Sequence, residues 1–313
     1  MKIVIHGQKA FGKELLERLL SNNENVVAVC GAPQKDNEPE DPLIVLAKER
    51  SIPVFQPSSW KTEEAYELMQ SFEADICMMA YVTLLVPQRV IDAPRLGTFQ
   101  FHPSLLPYHR GPSAISWSIA EGETITGLSI FWPNEGLDEG DILMTKSCKI
   151  EPDDTLSSLY FNKLFPMGID AMLESLELIK ANIFLRYVQD PEQGTYESWF
   201  KKERAKIDWN SNVDKIYNTI RAANPAPGAW SMINNKQIDF FTAQKFSEMG
   251  EPGVIKRISN DGILIPAIDG SILIEKCRID NGSKLPAVEI AREFSIKEGD
   301  TMSNNLETSV RIK

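Results

Sequence analysis

The first half of the chain alternates short apolar runs with longer amphipathic stretches, and this alternation constrains the fold more than any single residue does. The runs at 3–6, 26–30, 75–79, 98–102 and 127–132 have the length and apolar content of strands. Between them, 12–20 places Leu15, Leu16, Leu19 and Leu20 on one helical face, and 42–50 and 63–72 read as further helices. Strand and helix taking turns is the pattern of a parallel sheet covered by helices. The expected fold class is therefore α/β, with an open, Rossmann-like, mostly parallel sheet that binds ligands at the carboxyl ends of its strands.

Further along, the texture changes. Asp153-Asp154-Thr155 offers short polar side chains to cap a long helix predicted over 156–183. A polar, charge-rich stretch follows at 194–206, then a helix at 213–222 and short strand-like runs at 229–233, 237–241, 253–258, 262–266 and 271–275. Short strands at close spacing imply a small β-barrel or sandwich. The expected division is an N-terminal catalytic domain over 1–203, a barrel-like C-terminal domain over 204–300 and a polar tail over 301–313, frayed from about Glu298.

Composition excludes several classes. With 42% hydrophobic and 25% charged residues, the chain reads as an ordinary globular protein. Its first residues, Met1 to Gln8, lack the long apolar region of a signal peptide, and no segment reaches the roughly 20 apolar residues of a membrane span, so a cytoplasmic home is expected. The four cysteines, Cys30, Cys77, Cys148 and Cys277, show no metal-binding or C-x-x-C spacing. Neither a disulfide nor a metal is expected, and Cys30 and Cys77 read as buried small hydrophobes. A net charge of -11 repels polyphosphates, and the clearest basic cluster, 201–206, is small, which disfavours nucleic acid as a partner.

Three histidines can be weighed separately. His109 lies in a polar loop and reads as solvated or as a ligand rim, and His6 ends the first strand, where a structural role competes with a functional one. His102 ends the strand at 98–102, beside the proline-fixed loop Pro103-Ser104-Leu105-Leu106-Pro107. Side chains alternate along a strand, so Gln100 and His102 share one face and form a polar pair aimed at a cleft. About thirty residues later comes Gly136-Leu137-Asp138-Glu139-Gly140-Asp141. Left alone, this is an acidic turn; brought to His102, one of its carboxylates would fix the imidazole for acid–base work. The turn Gly7 to Gly12 after the first strand matches neither G-x-G-x-x-G nor a P-loop and reads as a structural entry into a helix.

Taken in order, Phe101-His102-Pro103-Ser104-Leu105-Leu106-Pro107, Arg110-Gly111-Pro112-Ser113-Ala114-Ile115 and Gly136-Leu137-Asp138-Glu139-Gly140-Asp141 resemble the motifs of the folate-dependent formyltransferases. The likeness is greatest to the hydrolase domain of 10-formyltetrahydrofolate dehydrogenase and covers about the first 280 residues. It includes Ile5-His6-Gly7-Gln8, the 152–160 segment, Gly194-Thr195-Tyr196-Glu197 and Pro227-Gly228-Ala229-Trp230. The resemblance implies a Rossmann-like formyltransferase domain followed by a smaller, OB-like β-barrel domain, with 10-formyltetrahydrofolate as one-carbon donor and tetrahydrofolate as product. It maps the catalytic pair onto His102 and Asp138, and the folate-binding loop onto Tyr81, Leu84, Leu85 and Val86, with Asp138 also facing the folate. Where the family carries asparagine, this chain has Gln100, one methylene longer, as the dehydrogenase's hydrolase domain also departs there. The resemblance implies formyl transfer to water or to a small acceptor, with methionyl-tRNA or an amino sugar as the alternative acceptors. A folate-binding module with decayed catalysis is the alternative of another class. The short acidic stretch 34–41, where tRNA-directed relatives carry a long basic insertion, argues against tRNA.

Overall fold

A computed structural model describes residues 1–190 and 192–303. In chain order the elements are β1 (Lys2–Gly7), α1 (Lys9–Ser21), β2 (Asn25–Cys30), α2 (Pro42–Glu49), β3 (Val54–Phe55), α3 (Glu63–Ser71), β4 (Ile76–Ala80), α4 (Gln88–Ile91), β5 (Thr98–His102), α5 (Ala114–Ala120), β6 (Ile125–Phe131) and β7 (Ile142–Lys149). They continue with α6 (Leu156–Leu159), a π-helical turn (Tyr160–Leu164), α7 (Phe165–Lys180), α8 (Val213–Ala222), β8 (Ala229–Ile233), β9 (Lys236–Phe246), β10 (Arg257–Ser259), β11 (Gly262–Pro266), β12 (Ser271–Ile279), β13 (Leu285–Pro286) and α9 (Ala287–Glu293).

The chain divides into two compact units whose segments interleave. The first comprises 1–111, 126–148 and 161–196; the second comprises 112–125, 149–160 and 197–313. Against the single boundary expected at 203, the second unit also takes in α5 and α6, because α5 packs on α8 and α6 packs on α5.

In the first unit a seven-stranded sheet runs in the order β3-β2-β1-β4-β5-β6-β7. Pairings from β3 through β5 are parallel, and β6 lies antiparallel on β5. Strands buried on both faces must be apolar on both, and they are: Ile3 and Ile5 enter one core with Leu15, Leu16, Leu19 and Met172, while Val4 enters another with Cys30, Cys77 and Trp60. Helix starts follow local chemistry. Asp41 accepts a hydrogen bond from the Leu43 amide with Pro42 in the first turn of α2, and Thr62 accepts from the Ala65 amide to start α3.

The long helix predicted over 156–183 is interrupted. It starts as expected, with Thr155 and Ser158 in a reciprocal cap, but becomes a π-helical turn before α7. Pro166 supplies the reason, since its ring cannot donate a backbone hydrogen bond and crowds the preceding turn.

In the second unit an antiparallel sheet runs β10-β11-β12-β9-β8, with β13 on β12. The described part of the expected tail is not frayed. Ile255 and Asp300 pair through the Ile255 amide at 2.9 Å, Met302 donates to Gly253 at 2.8 Å, and Ser303 exchanges two 2.9 Å hydrogen bonds with Met232 on β8. Residues 299–303 therefore lie between the approach to β10 and the outer edge of β8, joining the two ends of the sheet, and Met302 is buried beneath them. The rest of that tail, 304–313, lies outside the described residues. No described helix is long and apolar enough to cross a membrane.

Candidate active site

β5 is the strand on which the site is built. Phe99 and Phe101 point into the core that contains α1 and α7, where Phe101 stacks on Phe11 with ring centroids 4.4 Å apart. Thr98 points the other way and donates to the Ile91 carbonyl at 2.6 Å, so strand alternation carries Gln100 and His102 to that same face. His102 is 6% exposed. Its Nε2 lies 2.8 Å from the His109 carbonyl oxygen, which can only accept, so Nε2 carries a hydrogen. Nδ1 lies 3.5 Å from Asp138 Oδ2 and is the ring atom left to exchange a proton.

Asp138 is 8% exposed, and its Oδ2 also accepts from the Gly111 amide at 2.8 Å. Its backbone is left-handed, φ +57°, a conformation that aspartate tolerates better than most residues. Two residues on, Gly140 passes so close to Trp132 that an added Cβ would sit 1.7 Å from the Trp132 carbonyl oxygen; glycine is required there. Beside the pair, Arg110 Nη1 reaches Glu139 Oε1 at 3.3 Å.

The structure thus brings His102 and Asp138 together. Gln100, half-buried on β5 beside Met79 of β4, makes no side-chain hydrogen bond among the described residues. The loop after β4 leaves the same rim of the sheet as the end of β5, because the two strands are parallel neighbours. In that loop Tyr81, Leu84 and Leu85 are 46, 40 and 68% exposed, an apolar surface open to a ligand. Tyr81 has φ +65°, an outlying conformation for an aromatic residue and one that stores strain in this loop. Val86 differs from its neighbours: it is buried in the core with Val90 and Ile91, so its side chain is committed to packing and only its backbone could meet a ligand. Sequence reasoning missed two contributors, the His109 carbonyl and the Gly111 amide. Both are backbone groups, and no side-chain pattern marks them. Among the described residues no group of three or more histidine, cysteine, aspartate or glutamate side chains could hold a metal ion.

The formyl transferase family pattern matches residues 1–174, and that of the formyl transferase C-terminal domain matches 200–295. Mitochondrial 10-formyltetrahydrofolate dehydrogenase of Mus musculus is 35% identical over 315 residues, covering 95% of this chain and 34% of that protein. This chain spans about a third of the length of the dehydrogenases it matches. Methionyl-tRNA formyltransferase of Geobacter sulfurreducens is 31% identical over 304 residues, covering 96% of each chain. Among solved structures, HypX from Aquifex aeolicus in complex with tetrahydrofolic acid superposes with a TM-score of 0.68 at 20% identity, covering 97% of this chain and 51% of that one, a likeness of fold.

Proposed function

Since this chain belongs to the formyl transferase family, we propose that it takes the formyl group of 10-formyltetrahydrofolate to water or a small acceptor and releases tetrahydrofolate. The observation that carries the reading is the His102–Asp138 pair, buried at the end of β5 beside an exposed apolar loop. Attack of a nucleophile on the formyl carbon drives negative charge onto its oxygen, and His102 would stabilise that charge. Asp138 would orient the imidazole and help take the proton from the incoming water or amine. Tyr81, Leu84 and Leu85, with the backbone at Val86, would hold the flat pterin, which needs an apolar slot and a few polar anchors.

Hydrolysis is the favoured outcome because the motifs resemble most those of the hydrolase domain of 10-formyltetrahydrofolate dehydrogenase, and dehydrogenases of that name are among the relatives of this chain. One observation favours a second reading, a folate-binding protein with decayed catalysis: the Gln100 amide has no hydrogen bond among the described residues to aim it at an oxyanion.

The test is tetrahydrofolate release from 10-formyltetrahydrofolate, alone and with a panel of amines, amino sugars and methionyl-tRNA. Release that needs no acceptor is expected. Release with one acceptor alone would make the protein a transferase for it, and folate binding without any release would support the decayed module.

A further inference from the structure

The two loops that meet at His102 are tied down by one later segment. In the Asp138 loop, the carbonyl oxygens of Asp138 and Gly140 lie 2.9 and 2.6 Å from Nε2 of Gln189. Two carbonyls can share only a donor, so the amide nitrogen must sit between them. Gln189 is 7% exposed and reaches this loop from about fifty residues away in sequence. In the other loop, the His109 amide donates to Thr195 Oγ1 at 2.9 Å, the Arg110 amide donates to the Thr195 carbonyl at 3.0 Å, and the Thr195 amide donates to Pro107 at 3.2 Å. Gly194, at φ +87°, lets this approach happen, since a Cβ there would lie 2.1 Å from the Pro107 carbonyl oxygen.

We propose that Gln189 and Thr195 are positioning residues for the catalytic pair. Gln189 fixes the backbone that holds Asp138 in its left-handed conformation. Thr195 fixes His109, whose carbonyl anchors Nε2 of His102. Neither hydrogen-bonds to the His102 ring among the described residues; together they set the distance between its Nδ1 and Asp138. That distance, 3.5 Å, is longer than a strong hydrogen bond, so a small movement of either loop makes or breaks the pair. A misplacement of about 1 Å at a reacting group costs roughly 100-fold in rate.

This inference rests on the reading of His102 and Asp138 as the catalytic pair, and its test carries a readout that does not need turnover. Gln189→Met keeps the shape and removes the donor; Thr195→Val keeps every backbone bond and removes the hydroxyl. Each is expected to lower kcat for tetrahydrofolate release by about tenfold or more, with KM changed by less than about twofold, and Thr195→Ser is expected to restore it. The ring resonances of His102, assigned in isotopically labelled protein by comparison with His102→Ala, are expected to change chemical shift at constant pH in Gln189→Met and Thr195→Val, because the Nδ1–Asp138 contact they report has moved. If the wild type releases no tetrahydrofolate, the formyl-transfer reading fails while the His102 ring resonances still report on positioning. Folded variants with unmoved His102 ring resonances overturn the proposal, including any whose lost activity merely follows a lower Tm. Should Gln189→Met not fold, Thr195→Val and Thr195→Ser decide the matter.

Discussion

Two histidines end parallel strands of one sheet, His6 on β1 and His102 on β5, and both are buried. Around His6 there is packing and little else. Its ring lies 4.6 Å from that of Trp60, and neither His6 Nδ1 nor Trp60 Nε1 has a hydrogen-bond partner among the described residues. Desolvation pushes the His6 imidazole down to about 4, so it stays neutral at ordinary pH. The same surroundings push the Cys77 thiol up to about 12. Around His102, a carbonyl holds one ring nitrogen and a carboxylate faces the other. Burial alone makes an ionisable group inert; burial with opposed partners makes it a reagent.

The strongest way to break this contrast is kinetic. His102→Ala is expected to lower tetrahydrofolate release by about 10²- to 10⁴-fold, whereas His6→Leu leaves kcat within about twofold. A comparable loss in both variants, measured at steady state with folding verified, would erase the distinction.

Acid stability sharpens the same contrast from the other side. In the unfolded chain His6 takes up a proton near pH 6.5, while in the fold it does so only near 4. The unfolded state therefore binds more protons between those values, and stability falls as the pH drops from about 6.5 towards 4. Integrated over the window, this amounts to about 3 kcal/mol. Urea unfolding at pH 7 and pH 4 should show the wild type losing that much more than His6→Leu. Carboxylates such as Glu73 and Asp75, held low by hydrogen bonds to Lys2, also weaken the fold in acid, but equally in both proteins. Identical losses would mean that His6 is hydrated in the native state.

The smallest expected effect concerns Gln100. Gln100→Leu should cost about tenfold in kcat with little change in KM, less than the loss of a well-aimed oxyanion donor. An unchanged kcat would leave oxyanion stabilisation to His102 alone.

The parts of the molecule legible from sequence were those encoded by local periodicity. Strand β5 and the alternation that turns His102 away from Phe101 follow from five residues, and the glycine-bounded acidic loop marked Asp138 as a candidate. Their pairing was legible only through the family resemblance, because the contact joins residues 36 positions apart in sequence through the backbone of a third loop. Val86 shows the opposite limit: a valine in an apolar loop looks the same whether it faces a ligand or the core. β7 escaped notice because its burial alternates as on a half-covered edge strand, with Thr145, Ser147 and Lys149 on the outer face. Pro166, which ends the regular α-helical pattern upstream of α7, sits among apolar residues whose helical periodicity runs on past it.

The pairing of residues 299–303 with both ends of the antiparallel sheet has a consequence in time. A ribosome makes β8 some seventy residues before Ser303 arrives to cover its outer edge. Until then Met232 on β8, beyond the stretch that residues 205–207 already cover at Trp230, and the approach to β10 carry bare amide and carbonyl groups, the condition in which a strand recruits a foreign one. A translational pause or a proteolytic cut ahead of residue 299 would leave that edge open, and a closed sheet would become an adhesive one.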